Sequence, residues 1–168
     1  MASLHAAAAP KRPDDGQGER PSTPPKTAKR GRAPRPRARP KHVVMIVDDS
    51  KDARDIYAAY FESRGFGAIT ARDGEEAIAR ATLAKPDVII MDLAMPRMNG
   101  VTATQRLKEE RRTRAIPIIL LTAYGERAIA LGAIEAGAAV FLTKPCPPED
   151  LEEHVRRLLG RRRPPPRS

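Results

Sequence analysis

Five short apolar runs, each followed by a stretch of helical length, constrain the fold of this chain more than any other feature. Val43-Val-Met-Ile-Val47 is continuous and ends at two aspartates, the pattern of a strand covered on both faces. Phe66 to Ala71, Asp87 to Met91, Ile116 to Leu121 and Ala138 to Leu142 read as strands two to five, with Pro117 near the entrance of the fourth. Between them, Ser50 caps a helix predicted through Arg64, with Ile56, Tyr60 and Phe61 on one face and Gly65 as its stop. Asp73-Gly-Glu-Glu76 places a capping aspartate three residues before a glutamate, and Ala77, Ile78 and Leu83 continue that helix. Asn99 or Gly100 opens the third helix, and Glu126 to Ala136 reads as the fourth. Pro147 opens the last, with acids from Glu149 to Glu153 near its positive end and Arg156 and Arg157 near its negative end. Five strands alternating with five helices predict an α/β fold: a doubly wound five-stranded parallel sheet with right-handed crossovers.

The charge is unevenly spread. The net +10 of the 168 residues divides into +8 on residues 1–41, +4 on residues 160–168 and about −2 on residues 42–159. Eight of the 17 prolines fall in residues 1–40, a composition too poor in apolar surface to offset its ordering entropy. The expected organisation is a disordered basic Pro-rich tail over 1–41, a folded domain over 42–159, and a second basic Pro-rich tail over 160–168. The single cysteine, Cys146, excludes a disulfide framework and a Cys-rich zinc site. No apolar run approaches the roughly 20 residues of a membrane span, and Met1 to Pro10 lacks the features of a secretory signal. A cytoplasmic location is the expectation.

In open parallel sheets the ligand site lies outside the carboxyl ends of the strands. The residues just after the runs are Asp48 and Asp49 after the first, Asp92 after the third, Thr122 after the fourth and Lys144 after the fifth. Carboxylates brought together repel one another, and their pKa values rise unless a cation offsets the charge. An oxygen-preferring divalent ion such as Mg²⁺ is the natural counterion. Lys144 adds a positive charge and Thr122 a hydroxyl donor, so the set suits a phosphoryl group carried on a carboxylate. Singly these residues are ordinary: an Asp pair after a strand usually caps a helix, and Lys144-Pro145 is usually a turn. Their joint spacing carries the weight.

With Asp48-Asp49, Asp92-Leu-Ala-Met-Pro-Arg-Met-Asn-Gly100, Leu121-Thr-Ala123 and Lys144-Pro145, and successive intervals of 43, 30 and 22 residues between Asp49, Asp92, Thr122 and Lys144, the segment 42–159 resembles a receiver domain of a two-component response regulator. The resemblance implies a flavodoxin-like sheet of order 2-1-3-4-5. It implies that Asp92 is the phosphoacceptor for a sensor histidine kinase or a histidine phosphotransfer protein. Asp48, Asp49, Asp92 and the backbone carbonyl of Ala94 would hold Mg²⁺. Lys144 and Thr122 would bind the phosphoryl oxygens, and Phe141 would be the aromatic that turns inward with Thr122. Ala94 and Tyr124 occupy positions that tune loss of the phosphoryl group, and the bulk of Tyr124 predicts a long-lived aspartyl phosphate. A cis bond before Pro145 is expected.

The length leaves no room for an output domain within the sequence, so the expectation is a stand-alone receiver that signals by protein contact. The resemblance implies a partner surface on the face of the fourth helix, fifth strand and fifth helix, and leaves open a homodimer on phosphorylation. Such a chain is a covalent phosphoryl acceptor with slow self-dephosphorylation and not a conventional enzyme. A second reading makes the basic arm a polyanion contact, with nucleic acid as one target, although the arm lacks the interleaved aromatics that stack on bases. A third, a phosphohydrolase acting on metabolite esters, is disfavoured because its nucleophile would follow the first strand. No GxGxxG or Walker pattern occurs, and His5, His42 and His154 have no metal spacing.

Overall fold

The computed structural model describes residues 40–123 and 127–161, so most of the two basic tails, and Tyr124 with residues 125 and 126, lie outside the described residues. Strands β1 (Val43–Val47), β2 (Gly67–Ala71), β3 (Val88–Asp92), β4 (Ile118–Thr122) and β5 (Val140–Thr143) alternate with helices α1 (Lys51–Ser63), α2 (Gly74–Ala84), α3 (Gly100–Glu109), α4 (Arg127–Glu135) and α5 (Pro148–Arg161). All pairings are parallel, in the order β2-β1-β3-β4-β5. The expected class and strand order are those of the structure.

The apolar runs are continuous because both faces of the sheet are covered. Met45, Val47, Ile89, Met91, Ile118 and Leu120 point to one face, where they meet Ala77 and Ala81 of α2, Leu107 of α3 and Ala133 of α4. Val44, Ile46, Val88, Ile90, Ile119 and Leu121 point to the other, against Phe61 of α1 and Leu151 and Val155 of α5. Side chains alternate with period two along a strand, so each run feeds two cores at once. Phe61 and Phe66 meet edge to face at 5.5 Å, an arrangement worth about 0.5–1.5 kcal/mol beyond the area it buries.

Three helix starts follow side-chain caps. The Ser50 hydroxyl accepts from Ala53 N–H, the Asp73 carboxylate from Glu76 N–H and the Asn99 amide oxygen from Thr102 N–H. Gly65, at φ +86°, follows the end of α1 in a conformation that favours glycine. Helices α1 and α5 are clamped through Glu152, which is buried and accepts from the Tyr60 hydroxyl at 2.7 Å, Arg64 Nε at 3.0 Å and Arg156 Nε at 2.7 Å. Burial works against its charge, but these donors outweigh it and hold the carboxyl below its usual range.

Some boundaries and one facing differ from the sequence reading. Asp92 and Thr122 are the last residues of their strands, not the first beyond them, and Asp92 pairs in register with Leu121. Helix α5 starts at Pro148, one residue after Pro147. Ile56 is 61% exposed and Phe61 fully buried. Five helical residues separate them, a rotation of about 500°, which sets Ile56 about 140° from the face that Phe61 buries. No helix among the described residues is long and apolar enough to cross a membrane.

Gly100 allows the backbone after β3 to fold onto α3: a Cβ there would lie 2.5 Å from the Asp92 carbonyl oxygen and 2.9 Å from Leu93 Cα, neither of which can swing aside. Gly100→Ala is therefore expected to lower stability by about 1–3 kcal/mol. Gly132→Ala, in α4 with nothing within 4 Å of the new methyl, is expected to raise it by up to about 1 kcal/mol. Urea unfolding of both variants checks the pair, and equal effects would contradict the close approach at Gly100.

Candidate functional site

The parallel order sets the C-terminal ends of β1 and β3 side by side, with β4 and β5 next to them, so residues far apart in sequence meet at one edge. One carboxylate oxygen from each of Asp48, Asp49 and Asp92 lies within 4.8 Å of the others. Asp48 and Asp92 are only 3% and 6% exposed, whereas Asp49 faces solvent. Lys144 reaches across from the end of β5, with Nζ 2.9 Å from Asp48 Oδ2 and 3.1 Å from Asp92 Oδ1. The other oxygen of Asp48 accepts from Ser50 N–H at 2.9 Å.

Charge explains the behaviour of these groups. Burial pushes the Asp92 carboxyl above its usual value; Lys144 draws it back in part, and Asp48 and Asp49 push it up again. Burial also works against the Lys144 ammonium, but its bond to Asp48 and the charges of Asp92 and Asp48 win and raise its pKa. Three carboxylates against one ammonium leave a formal charge of −2, a donor set that fits a hard divalent cation. In a pocket of this kind, the coordinating oxygens would come from Asp48, Asp49 and Asp92.

Thr122 is fully buried at the end of β4, and its carbonyl accepts from Lys144 N–H at 2.6 Å. The Lys144–Pro145 bond is cis. Ala94 is exposed in the loop after β3. That loop is tied down at both ends, by Leu93 N–H on Leu121 O at 2.7 Å and Gly100 N–H on Leu93 O at 2.9 Å. Phe141 stands apart from the acidic cluster: half-buried on β5, it lines a groove of about 460 Å³ with Ile134, His154 and Leu158. Tyr124 lies outside the described residues.

Three side chains around the site were not singled out by their spacing. Arg54 of α1 donates to the carbonyl oxygens of Asp48 and Asp49. Arg97, in the loop after β3 at φ +65°, pairs with the buried carboxylate of Asp73 and ties that loop to the start of α2. Tyr57 of α1 donates its hydroxyl to Cys146 O at 2.9 Å, beside the Lys144 turn. Burial raises the pKa of the Cys146 thiol.

Comparisons with known proteins point to one family. The family model described as response regulator receiver domain matches residues 44–156. A probable transcriptional regulator of Guillardia theta, ycf27, is 37% identical over 121 residues, which are 72% of this chain and 46% of that protein. The response regulator PleD of Caulobacter vibrioides is 36% identical over 115 residues, 68% of this chain and 25% of PleD. The chain spans about half the length of the first curated relatives it matches. Among solved structures, the signal receiver domain of a signal transduction histidine kinase from Syntrophus aciditrophicus superposes with a TM-score of 0.68 at 35% identity, over 76% of this chain and 97% of that one. The chemotaxis protein CheY4 of Vibrio cholerae does so with a TM-score of 0.67 at 32% identity, over 70% and 98%.

Because the folded state raises the Asp92 pKa above its ordinary 3.8, that carboxyl binds its proton more tightly when folded. Its ionisation opposes folding: the penalty is absent below that ordinary value and grows as pH rises through the folded one. In the presence of EDTA, Asp92→Asn is expected to be more stable than the parent at pH 7, with the advantage shrinking toward pH 4. Urea unfolding at the two pH values measures this, and a less stable variant at pH 7 would contradict it.

Proposed function

Since the chain belongs to the response regulator receiver family, we propose that Asp92 accepts a phosphoryl group from a partner histidine and that the acidic cluster holds Mg²⁺ for the transfer. One observation carries the reading: three carboxylates and a bridging ammonium, from β1, β3 and the end of β5, meet at one edge. Asp48, Asp49 and Asp92 would hold the ion, with the Ala94 carbonyl as a further ligand. When bound, it supplies charge neutralisation for the phosphoryl oxygens.

This chain's own residues do the rest. A carboxylate oxygen of Asp92 attacks phosphorus, the O–P bond forms as the P–N bond breaks, and the donor imidazole keeps the electron pair. Lys144 exchanges its present carboxylate contacts for the oxygens of a phosphoryl group that carries about −1.5 to −2 charge, in place of the single charge of the Asp92 carboxylate. Thr122 donates its hydroxyl to another, and its inward movement makes room for Phe141 to turn. Donors of matching chemistry are a sensor histidine kinase and a histidine phosphotransfer protein. The phosphoryl group leaves slowly by hydrolysis, with Ala94 and Tyr124 tuning access of water.

The response is then read as protein contact at the α4, β5 and α5 face, where Leu131 and Ile134 are exposed and Phe141 lines the groove. A second copy of the chain is one occupant of that face. In this account the folded unit over 42–159 is a receiver that works in the cytoplasm. A second reading gives the work to residues 1–41, whose +8 charge suits a polyanion such as nucleic acid. It predicts binding that falls steeply with salt, is lost on deleting residues 1–40 and is indifferent to Asp92→Asn.

Intact mass after incubation with acetyl phosphate and Mg²⁺ tests the first reading. The expected result is one phosphoryl adduct on the parent chain, absent with EDTA and absent in Asp92→Asn. A well-folded parent without an adduct, or an equal adduct on the variant, would overturn it.

A further inference from the structure

Asp48 and Asp49 stand in irregular backbone between β1 and α1, where carbonyl oxygens lack the partners that sheet or helix would give them. One side chain takes both. Arg54 Nη1 donates to Asp48 O at 2.7 Å and to Asp49 O at 3.1 Å. The arginine comes from the first turn of α1, and its backbone N–H bonds Ser50 O at 3.1 Å, so the helix start fixes where the guanidinium begins.

The two aspartates depend on this contact unequally. Asp48 is held three ways, with its carboxylate oxygens bonded to Ser50 N–H and Lys144 Nζ and its carbonyl bonded to Arg54. Asp49 is exposed, and among the described residues nothing donates to its carboxylate. What holds Asp49 beside the cluster is its backbone, gripped at the carbonyl by Arg54. The positive charge of Arg54 opposes a cation nearby, so charge and position make opposite predictions for its removal.

We propose that Arg54 is a positioning residue for the acidic cluster, which fixes the backbone of Asp48 and Asp49 so that their carboxylates converge on one divalent cation. The proposal rests on the reading of that cluster as a metal site. The planar, preorganised guanidinium suits the task better than an ammonium on a flexible stem. Groups that orient metal ligands without touching the ion affect affinity by about 10–100-fold when removed.

The test uses the full chain and Mn²⁺, with the free ion counted by its electron paramagnetic resonance signal. Parent, Arg54→Ala and Arg54→Lys are compared, with Lys51→Ala as a surface control and amide spectra to verify the fold. Both Arg54 variants are expected to bind Mn²⁺ about tenfold more weakly, a loss of the size seen for outer-shell partners, while Lys51→Ala binds as the parent does. Phosphoryl uptake from acetyl phosphate should need correspondingly more Mg²⁺ and recover its rate at saturation. Arg54→Lys keeps the charge and most of the stem, so it carries the test if the alanine variant unfolds. Unchanged affinity, tighter binding by Arg54→Ala, or a loss that only follows the unfolded fraction would overturn the proposal. A parent chain that binds no Mn²⁺ would remove the metal reading itself, and this inference with it.

Discussion

Lys144 bridging Asp48 and Asp92 is the interaction on which the C-terminal edge of the sheet depends. It brings the ends of β1, β3 and β5 to one point and partly offsets three acids that would otherwise repel. Such a buried arrangement adds little net stability, because desolvating the charges offsets most of their attraction. At Asp92 burial pushes the carboxyl above its usual value even with the ammonium beside it. The edge is therefore poised for more positive charge, and then for the exchange of a carboxylate for a larger anion at Lys144.

The rest of the domain supports that edge. Two cores lock the strands from both faces, so the positions of Asp92 and Thr122 follow from buried register and not from loop conformation. The loops beside the cluster are tied back by arginines, Arg54 for the turn after β1 and Arg97, through Asp73, for the turn after β3. Gly100 lets that second turn pass close to the Asp92 carbonyl. A rigid strand thus supplies Asp92, and anchored loops complete its surroundings.

Much of this was legible from residue order alone, and the reasons are physical. Strands buried on both faces are written as unbroken apolar runs, so β1, β3 and β4 stand out, and the residues at their ends mark the chemical edge. Charge misled at the boundaries: Asp92 looks like a terminator, yet its backbone still pairs with Leu121, because ladder bonds are indifferent to the side chain. Hydrophobicity alone puts Ile56 with Phe61, whereas the helical angle between them turns Ile56 to solvent. Arg54, Arg97 and Glu152 went unread because long side chains choose partners in space. Nothing in the spacing says which carbonyl a guanidinium meets, that a non-glycine residue adopts φ +65°, or that Glu152 is buried under Tyr60 and Arg64. For Arg54 a signal existed, since carbonyls in a strand-to-helix turn need donors and the first helical turn is where one can arise.

The central claim is that Asp92, and not one of its acidic neighbours, takes the phosphoryl group. Borohydride reduces an acyl phosphate to an alcohol, which converts a phosphorylated aspartate to homoserine and leaves free carboxylates unchanged. The full chain, charged with acetyl phosphate and Mg²⁺, reduced in this way and mapped by peptide mass spectrometry, should carry homoserine at position 92 alone. Conversion at Asp48 or Asp49, or at no position in a chain that remains folded, would contradict the account.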